Sequence, residues 1–151
     1  MIRLKTVSLL RHKSELSTLP DGKLLINTIN AHSYNNAQKD PLFAEALLRG
    51  GALIPDGESI VLAFRWLRHE HIERIPGWDL FEYEMERLNQ KGGTCFFLGA
   101  SEKTLPLITE KARVVYPHIT VEIYFPPSKP DLPAEHYPAI IHSARRVKPD
   151  P

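Results

Sequence analysis

Three separated segments carry residues able to do chemistry: Thr28-Ile29-Asn30, Pro55-Asp56-Gly57 and Glu73-Arg74-Ile75-Pro76-Gly77-Trp78-Asp79. Each closes or follows an apolar stretch, where a strand would end. In an open α/β sheet ligands bind at the carboxyl ends of the strands. A carboxylate there, Asp56, could take a proton from an attacking hydroxyl, although Asp-Gly is equally the text of a plain turn. Thr28 and Asn30 straddle Ile29, and extended backbone puts both on one face toward one ligand. The same two residues could instead cap a following helix. The planar guanidinium of Arg74 suits bidentate contact with phosphate oxygens; its bland alternative is a solvated ion pair with Glu73. Gly99-Ala100-Ser101 joins an apolar run to a helical pattern, where free backbone N–H groups attract anions. It lacks the lysine and hydroxyl ending of a P-loop and the spacing of a dinucleotide fingerprint.

The elements that must position these residues alternate between strand and helix. Strands are predicted over 2–10, 24–28, 52–55, 94–98 and 121–125. Between them, a helix carries Ala37, and another spans 41–49 with Pro41 near its start and Gly50-Gly51 past its end. Leu42, Ala46 and Leu48 are expected to supply much of the buried surface of that helix. Further helices are predicted over 59–67, 79–90, and from an N-cap at Ser101 to about 116. Leu80, Tyr83, Met85 and Leu88 are the apolar contacts expected of the second of these. Residues 11–23 read as polar turn, 69–77 and 126–133 as loops, and 135–147 as a last helix. This order predicts an α/β fold with a mainly parallel sheet flanked by helices, in one domain over 1–151.

Composition excludes several classes. A formal net charge of +1 gives no broad basic surface for nucleic acid. No apolar run is long enough to span a bilayer, and the N-terminus is a poor signal peptide, so a cytoplasmic chain is expected, with peripheral membrane contact left open. The single cysteine, Cys95, cannot form an internal disulfide and reads as a buried structural thiol. The seven histidines form no metal-binding set, and His69 and His71 read as solvated.

Taken in order, these segments resemble the WecG/TagA/CpsF glycosyltransferases. The matching text runs through 26–33, 37–41, Leu53-Ile54-Pro55-Asp56-Gly57, Arg65-Trp66-Leu67, Arg74 to Phe81, Phe96-Phe97-Leu98-Gly99-Ala100, Tyr116-Pro117 and Lys148-Pro149-Asp150. The resemblance covers about 24–150. It implies a Rossmann-like fold and an inverting transfer of a hexose, N-acetylmannosamine or a relative, from a UDP-sugar to a polyprenyl-diphosphate-linked acceptor in cell-surface polysaccharide synthesis. It implies no cofactor and no metal. By resemblance Asp56 is the general base, Thr28 and Asn30 line the sugar pocket, Arg74 faces the diphosphate, and the turn at Gly99 and Ala100 helps bind the nucleotide. The family pattern continues beyond lysine-proline-aspartate with another strand and a proline-lysine-glutamine-glutamate motif, whereas this sequence stops at Pro151. The expectation is therefore a C-terminally incomplete domain with an open sheet edge, covered by a homo-oligomer or another partner. A remnant that binds UDP without transferring sugar is the alternative reading.

Overall fold

The computed structural model describes residues 2–125; the loop predicted over 126–133, the helix over 135–147 and Lys148-Pro149-Asp150 lie outside the described residues. The chain divides into two compact units, Met1–Tyr83 and Glu84–Pro151. Both are built from parallel strands flanked by helices, which is the α/β class expected from the alternating pattern and the Rossmann-like fold implied by the family resemblance.

In the first unit β1 (Ile26–Ile29) pairs in parallel with β2 (Ala52–Pro55), with Thr28 opposite Ile54 and Ile29 opposite Pro55. The crossover between them is made by α1 (Ala31–Lys39) and α2 (Pro41–Leu48), because a parallel pair cannot be closed by a tight turn. Asp40 separates the two helices and starts the second. Its side chain accepts from the N–H groups of Leu42 and Phe43 at 2.9 and 3.1 Å, while Pro41 occupies the first helical position. α3 (Glu58–Arg68) follows β2 and buries Ile60 and Phe64, one turn apart. It ends at His69, which takes the left-handed conformation at φ 54°.

The sheet is buried on both faces, and alternation along the strands sorts its residues. Ile29 and Leu53 join Ala37, Ala44, Leu47, Ile60 and Phe64 in one core cluster. Ile54, pointing the other way, packs with Leu16 and Ile75, and Leu80 and Tyr83 lie against that second cluster.

Three expectations for this unit are corrected. Residues 2–10 are not a strand. The N–H groups of Thr6 and Val7 both donate to the Arg3 carbonyl at 3.0 Å, making a turn. Ile2, Leu4, Val7 and Leu9 are buried, but the step from 4 to 7 breaks the two-residue period that a strand needs. Only Leu10 reaches the sheet, donating to the Leu53 carbonyl at 3.0 Å. Within the polar stretch 11–23, Lys13–Thr18 is a 3-10 helix, started by Glu15 accepting from the Arg11 and His12 N–H groups, both at 2.9 Å, and anchored by buried Leu16. On α2 the buried residues are Ala44 and Leu47; Leu42 is 77% exposed and Leu48 49%. The apolar composition of α2 runs nearly all round, so composition could not fix its phase.

The second unit contains most of α4 (Gly77–Lys91), then β3 (Gly93–Leu98), α5 (Thr104–Val115) and β4 (Ile119–Tyr124). Met85 is the buried residue of α4, while Leu88 is half-buried. β3 and β4 pair in parallel from Gly93 opposite Ile119 to Leu98 opposite Tyr124. α5 starts three residues after Ser101, because Ser101 first makes a turn: its Oγ accepts from the Thr104 N–H at 3.1 Å. Pro106 falls in the first turn, where its missing N–H costs nothing. Cys95 is half-buried on β3 rather than fully enclosed, and burial pushes its thiol pKa up.

Two outcomes follow from this packing. Leu47→Ala should lower stability by about 2–5 kcal/mol in urea unfolding, whereas Leu42→Ala should stay within about 0.5 kcal/mol. Alkylation of Cys95 by iodoacetamide should be slower at neutral pH than that of a free thiol, and should accelerate only above the ordinary thiol range.

Candidate functional site

The carboxyl ends of β1 and β2 lie side by side. Beyond the last paired residues, Ile29 and Pro55, the chain continues into Asn30 on one strand and Asp56 on the other. The ladder extends one step further, since the Asp56 N–H donates to the Ile29 carbonyl at 3.0 Å. Asn30 then turns the chain into α1. Its backbone is extended, its Oδ1 accepts from the Ser33 N–H at 3.0 Å, and Ser33 Oγ accepts in return from the Asn30 N–H at 2.9 Å. The capping alternative for Asn30 is therefore realised, and it leaves the amide nitrogen of Asn30 without a hydrogen-bond partner among the described residues.

Gly57 is required where it stands. A methyl group on it would lie 2.9 Å from Asn30 Cβ and 3.1 Å from Asn30 Cα. The glycine lets the two strand ends approach, which places Asp56 next to Asn30.

The third segment is joined to the same strand end through the backbone. The Ile75 N–H donates to the Pro55 carbonyl at 2.8 Å, and Arg74 Nε donates to the Asp56 carbonyl at 2.7 Å. Ile75 is fully buried and pins the loop to the sheet. Gly77 then brings the start of α4 over β1, with its Cβ position 4.0 Å from Thr28 Cγ2. Thr28, Asn30, Asp56 and Arg74 are thus gathered at one edge of the first unit. Among the described residues the Thr28 hydroxyl, the Asp56 carboxylate and the terminal nitrogens of Arg74 have no hydrogen-bond or ion-pair partner. A proton acceptor, neutral polar groups and a cation converge with their valences open.

Arg74 does not pair with Glu73. Glu73 faces the 3-10 segment, accepting from the Lys13 N–H at 2.8 Å and lying 3.9 Å from His12 Nδ1. Lys13 Nζ pairs with Asp79, and Glu70 meets both Arg11 at 3.4 Å and Arg68 at 2.9 Å. Each exposed pair contributes little alone. Together they hold both flanks of the loop that presents Arg74. Sequence reasoning missed this tether. Its signal was the basic Arg11-His12-Lys13 run against the acids at 70, 73 and 79, but nothing local says that segments 60 residues apart meet.

Gly99 and Ala100 belong to the second unit. Both are left-handed, at φ 110° and 62°. The Gly99 N–H is committed to the Tyr124 carbonyl at 3.1 Å. Those of Ala100 and Ser101 have no partner among the described residues. An alanine at positive φ is a strained choice, of the kind that collects at binding turns. His69 and His71 are exposed, as expected. Among the described residues no group of three or more His, Cys, Asp or Glu side chains could hold a metal ion, and no helix is long and apolar enough to cross a membrane. A cavity of about 490 Å³ opens at the other end of β2, lined by Ile2, Val7, Leu9, Gly51 and Leu53 among others; none of the four gathered residues lines it.

A parallel α/β unit with a carboxylate, an arginine and amide and hydroxyl groups past its strand ends has them where open α/β sheets take their ligands. The family follows from the sequence: residues 4–150 match the Glycosyl transferase WecG/TagA/CpsF family, and the chain belongs to it. The match takes in the N-terminal segment from residue 4, with its buried Leu4, Val7, Leu9 and Leu16, as well as the motif-bearing region. The chain is also similar to an N-acetylglucosaminyldiphosphoundecaprenol N-acetyl-beta-D-mannosaminyltransferase of Bacillus spizizenii, 26% identical over 99 residues. That alignment covers 66% of this chain and 38% of the relative, so the part of the chain that matches spans well under half the relative's length.

The close approach at Gly57 generates a direct test. Gly57→Ala should cost about 1–3 kcal/mol, read as a lower urea midpoint, because the added methyl group meets Asn30 Cα, which is backbone and cannot swing aside.

Proposed function

We propose that this chain carries the base and diphosphate-facing part of an inverting glycosyltransferase. It would move a hexose, N-acetylmannosamine or a relative, from a UDP-sugar to a polyprenyl-diphosphate-linked acceptor. The observation that carries this reading is the pairing of an open Asp56 carboxylate with an Arg74 guanidinium anchored to the Asp56 carbonyl, both at the end of β2. The family supports the reaction class, and the name of the Bacillus relative supports the sugar and the lipid-linked acceptor.

In this reading the acceptor hydroxyl sits within hydrogen-bond reach of Asp56. Its oxygen attacks the anomeric carbon of the donor from the face opposite the diphosphate, and Asp56 takes the proton. The bond between that carbon and the phosphate oxygen breaks, and UDP leaves with the electron pair. Arg74 already spends Nε on the protein, so its terminal nitrogens are held in place for the phosphate oxygens. Preorganised charge of this kind stabilises the transition state without reorganisation at the moment of reaction. The Thr28 hydroxyl and the Asn30 amide nitrogen are free to orient sugar hydroxyls. In the second unit, taken by itself, the turn at Gly99 and Ala100 offers the N–H groups of Ala100 and Ser101 to an anion. No metal is assigned a role: Arg74 offsets the leaving-group charge. A lipid-linked acceptor places the reaction at a membrane surface, at its cytoplasmic face where nucleotide sugars are made, and the chain would meet it peripherally.

Two variants separate the roles. Asp56→Asn should leave UDP affinity within about twofold in calorimetry and reduce sugar transfer by about 10²–10⁴-fold. Arg74→Ala should weaken UDP binding itself. Saturable UDP binding without transfer would instead favour a nucleotide-binding module, and full transfer by Asp56→Asn would remove the general-base assignment.

A further inference from the structure

The turn that carries Arg74 also carries a tryptophan with no role in the scheme above. Trp78 stands in the first turn of α4 and is 63% exposed. Exposing an indole to water forfeits the burial that usually places this residue. The side chain is nonetheless held, because the ring of Phe81 lies beneath it at a centroid distance of 5.3 Å and a tilt of 36°. Its position is set by the site itself. The preceding residue, Gly77, lies against Thr28, and four residues earlier Arg74 is bonded to Asp56. The indole N–H has no partner among the described residues.

We propose that Trp78 is the stacking platform for the hexose ring of the acceptor. This deepens the glycosyltransferase reading and rests on it. A pyranose ring presents a face of C–H groups with partial positive charge, and an indole face is its electrostatic complement. The free N–H offers a hydrogen bond to a ring hydroxyl at the edge. The acceptor ring bears the reacting hydroxyl, so in the proposed reaction it lies beside Asp56. The uracil of the donor is separated from the reacting carbon by a ribose and two phosphates. An exposed aromatic one residue after Gly77, which lies against Thr28, and four after Arg74, which is bonded to the Asp56 carbonyl, therefore suits the acceptor ring better than the base.

The chain has two tryptophans, and Trp66, 75% exposed on α3, is removed by Trp66→Phe to leave Trp78 as the sole indole. N-acetylglucosaminyl diphosphate bearing a short polyprenyl chain is then titrated against its emission, with UDP and UDP-N-acetylmannosamine in parallel. The expected result is a saturable change in Trp78 emission with the acceptor compound, and only a weak change with either nucleotide. In calorimetry Trp78→Ala should weaken acceptor binding about tenfold, equivalent to about 1.4 kcal/mol. UDP affinity should be unchanged and Trp78→Phe should retain most of the acceptor affinity. Arg74→Ala should show the reverse pattern. Acceptor binding that is indifferent to Trp78→Ala, alongside Arg74-dependent UDP binding, would overturn the platform and leave the glycosyltransferase reading standing. Loss of nucleotide binding in Trp78→Ala would reassign the stack to the donor and overturn it too. A folded chain that binds none of the three ligands would overturn both.

Discussion

Everything proposed for the site depends on how the segment after α3 is tied to the end of β2. Two hydrogen bonds make that tie: Ile75 N–H to the Pro55 carbonyl at 2.8 Å, and Arg74 Nε to the Asp56 carbonyl at 2.7 Å. The second also orients the arginine. A guanidinium that donates through Nε to a carbonyl has its fork edge fixed, and a fixed fork loses less entropy when it meets an anion. The acid and the cation are thereby spaced by the backbone, with no direct ion pair that would neutralise both.

The tie is stable because its surroundings are buried. Ile54, Pro55 and Ile75 are among the most deeply enclosed side chains of the protein. Strand alternation sends Leu53 to one core cluster and Ile54 to the other, so β2 cannot slip by one residue without exposing both. That constraint fixes where Asp56 emerges. Gly57 completes the arrangement by allowing the close contact with Asn30. The rigid frame is thus made of apolar residues and a glycine, and Thr28, Asn30, Asp56 and Arg74 stand at its edge with polar groups unpaired among the described residues.

Much of this was legible in the sequence, for identifiable reasons. β1, β2 and β3 are short β-prone runs bounded by polar or glycine residues, and their positions follow from that pattern alone. The start of α2 follows from Asp40-Pro41. Asn30, Asp56 and Arg74 could be named because each stands just past, or is tethered to, a strand end. What failed did so where partners are distant. Residues 2–10 are apolar enough for a strand, but their spacing slips between Leu4 and Val7, where the turn at Arg3 takes the backbone bonds. The polar stretch 11–23 hides a 3-10 helix whose purpose shows only once Glu73 and Asp79 arrive from about sixty residues away. Leu42 and Leu48 on α2 show that an all-apolar helix gives no phase information. Trp78 looked like part of a motif, and its exposure in the first turn of α4 shows only in the structure.

The central claim is that Asp56 and Arg74 face one pocket from two sides, one toward a hydroxyl and the other toward a diphosphate. A crystal structure of the chain soaked with UDP tests it most directly. The account predicts phosphate oxygens within hydrogen-bond distance of the terminal nitrogens of Arg74, with the Asp56 carboxylate free and facing the space beyond the β-phosphate. Diphosphate bound away from Arg74, or contacting the Asp56 carboxylate through its own oxygens, would contradict it.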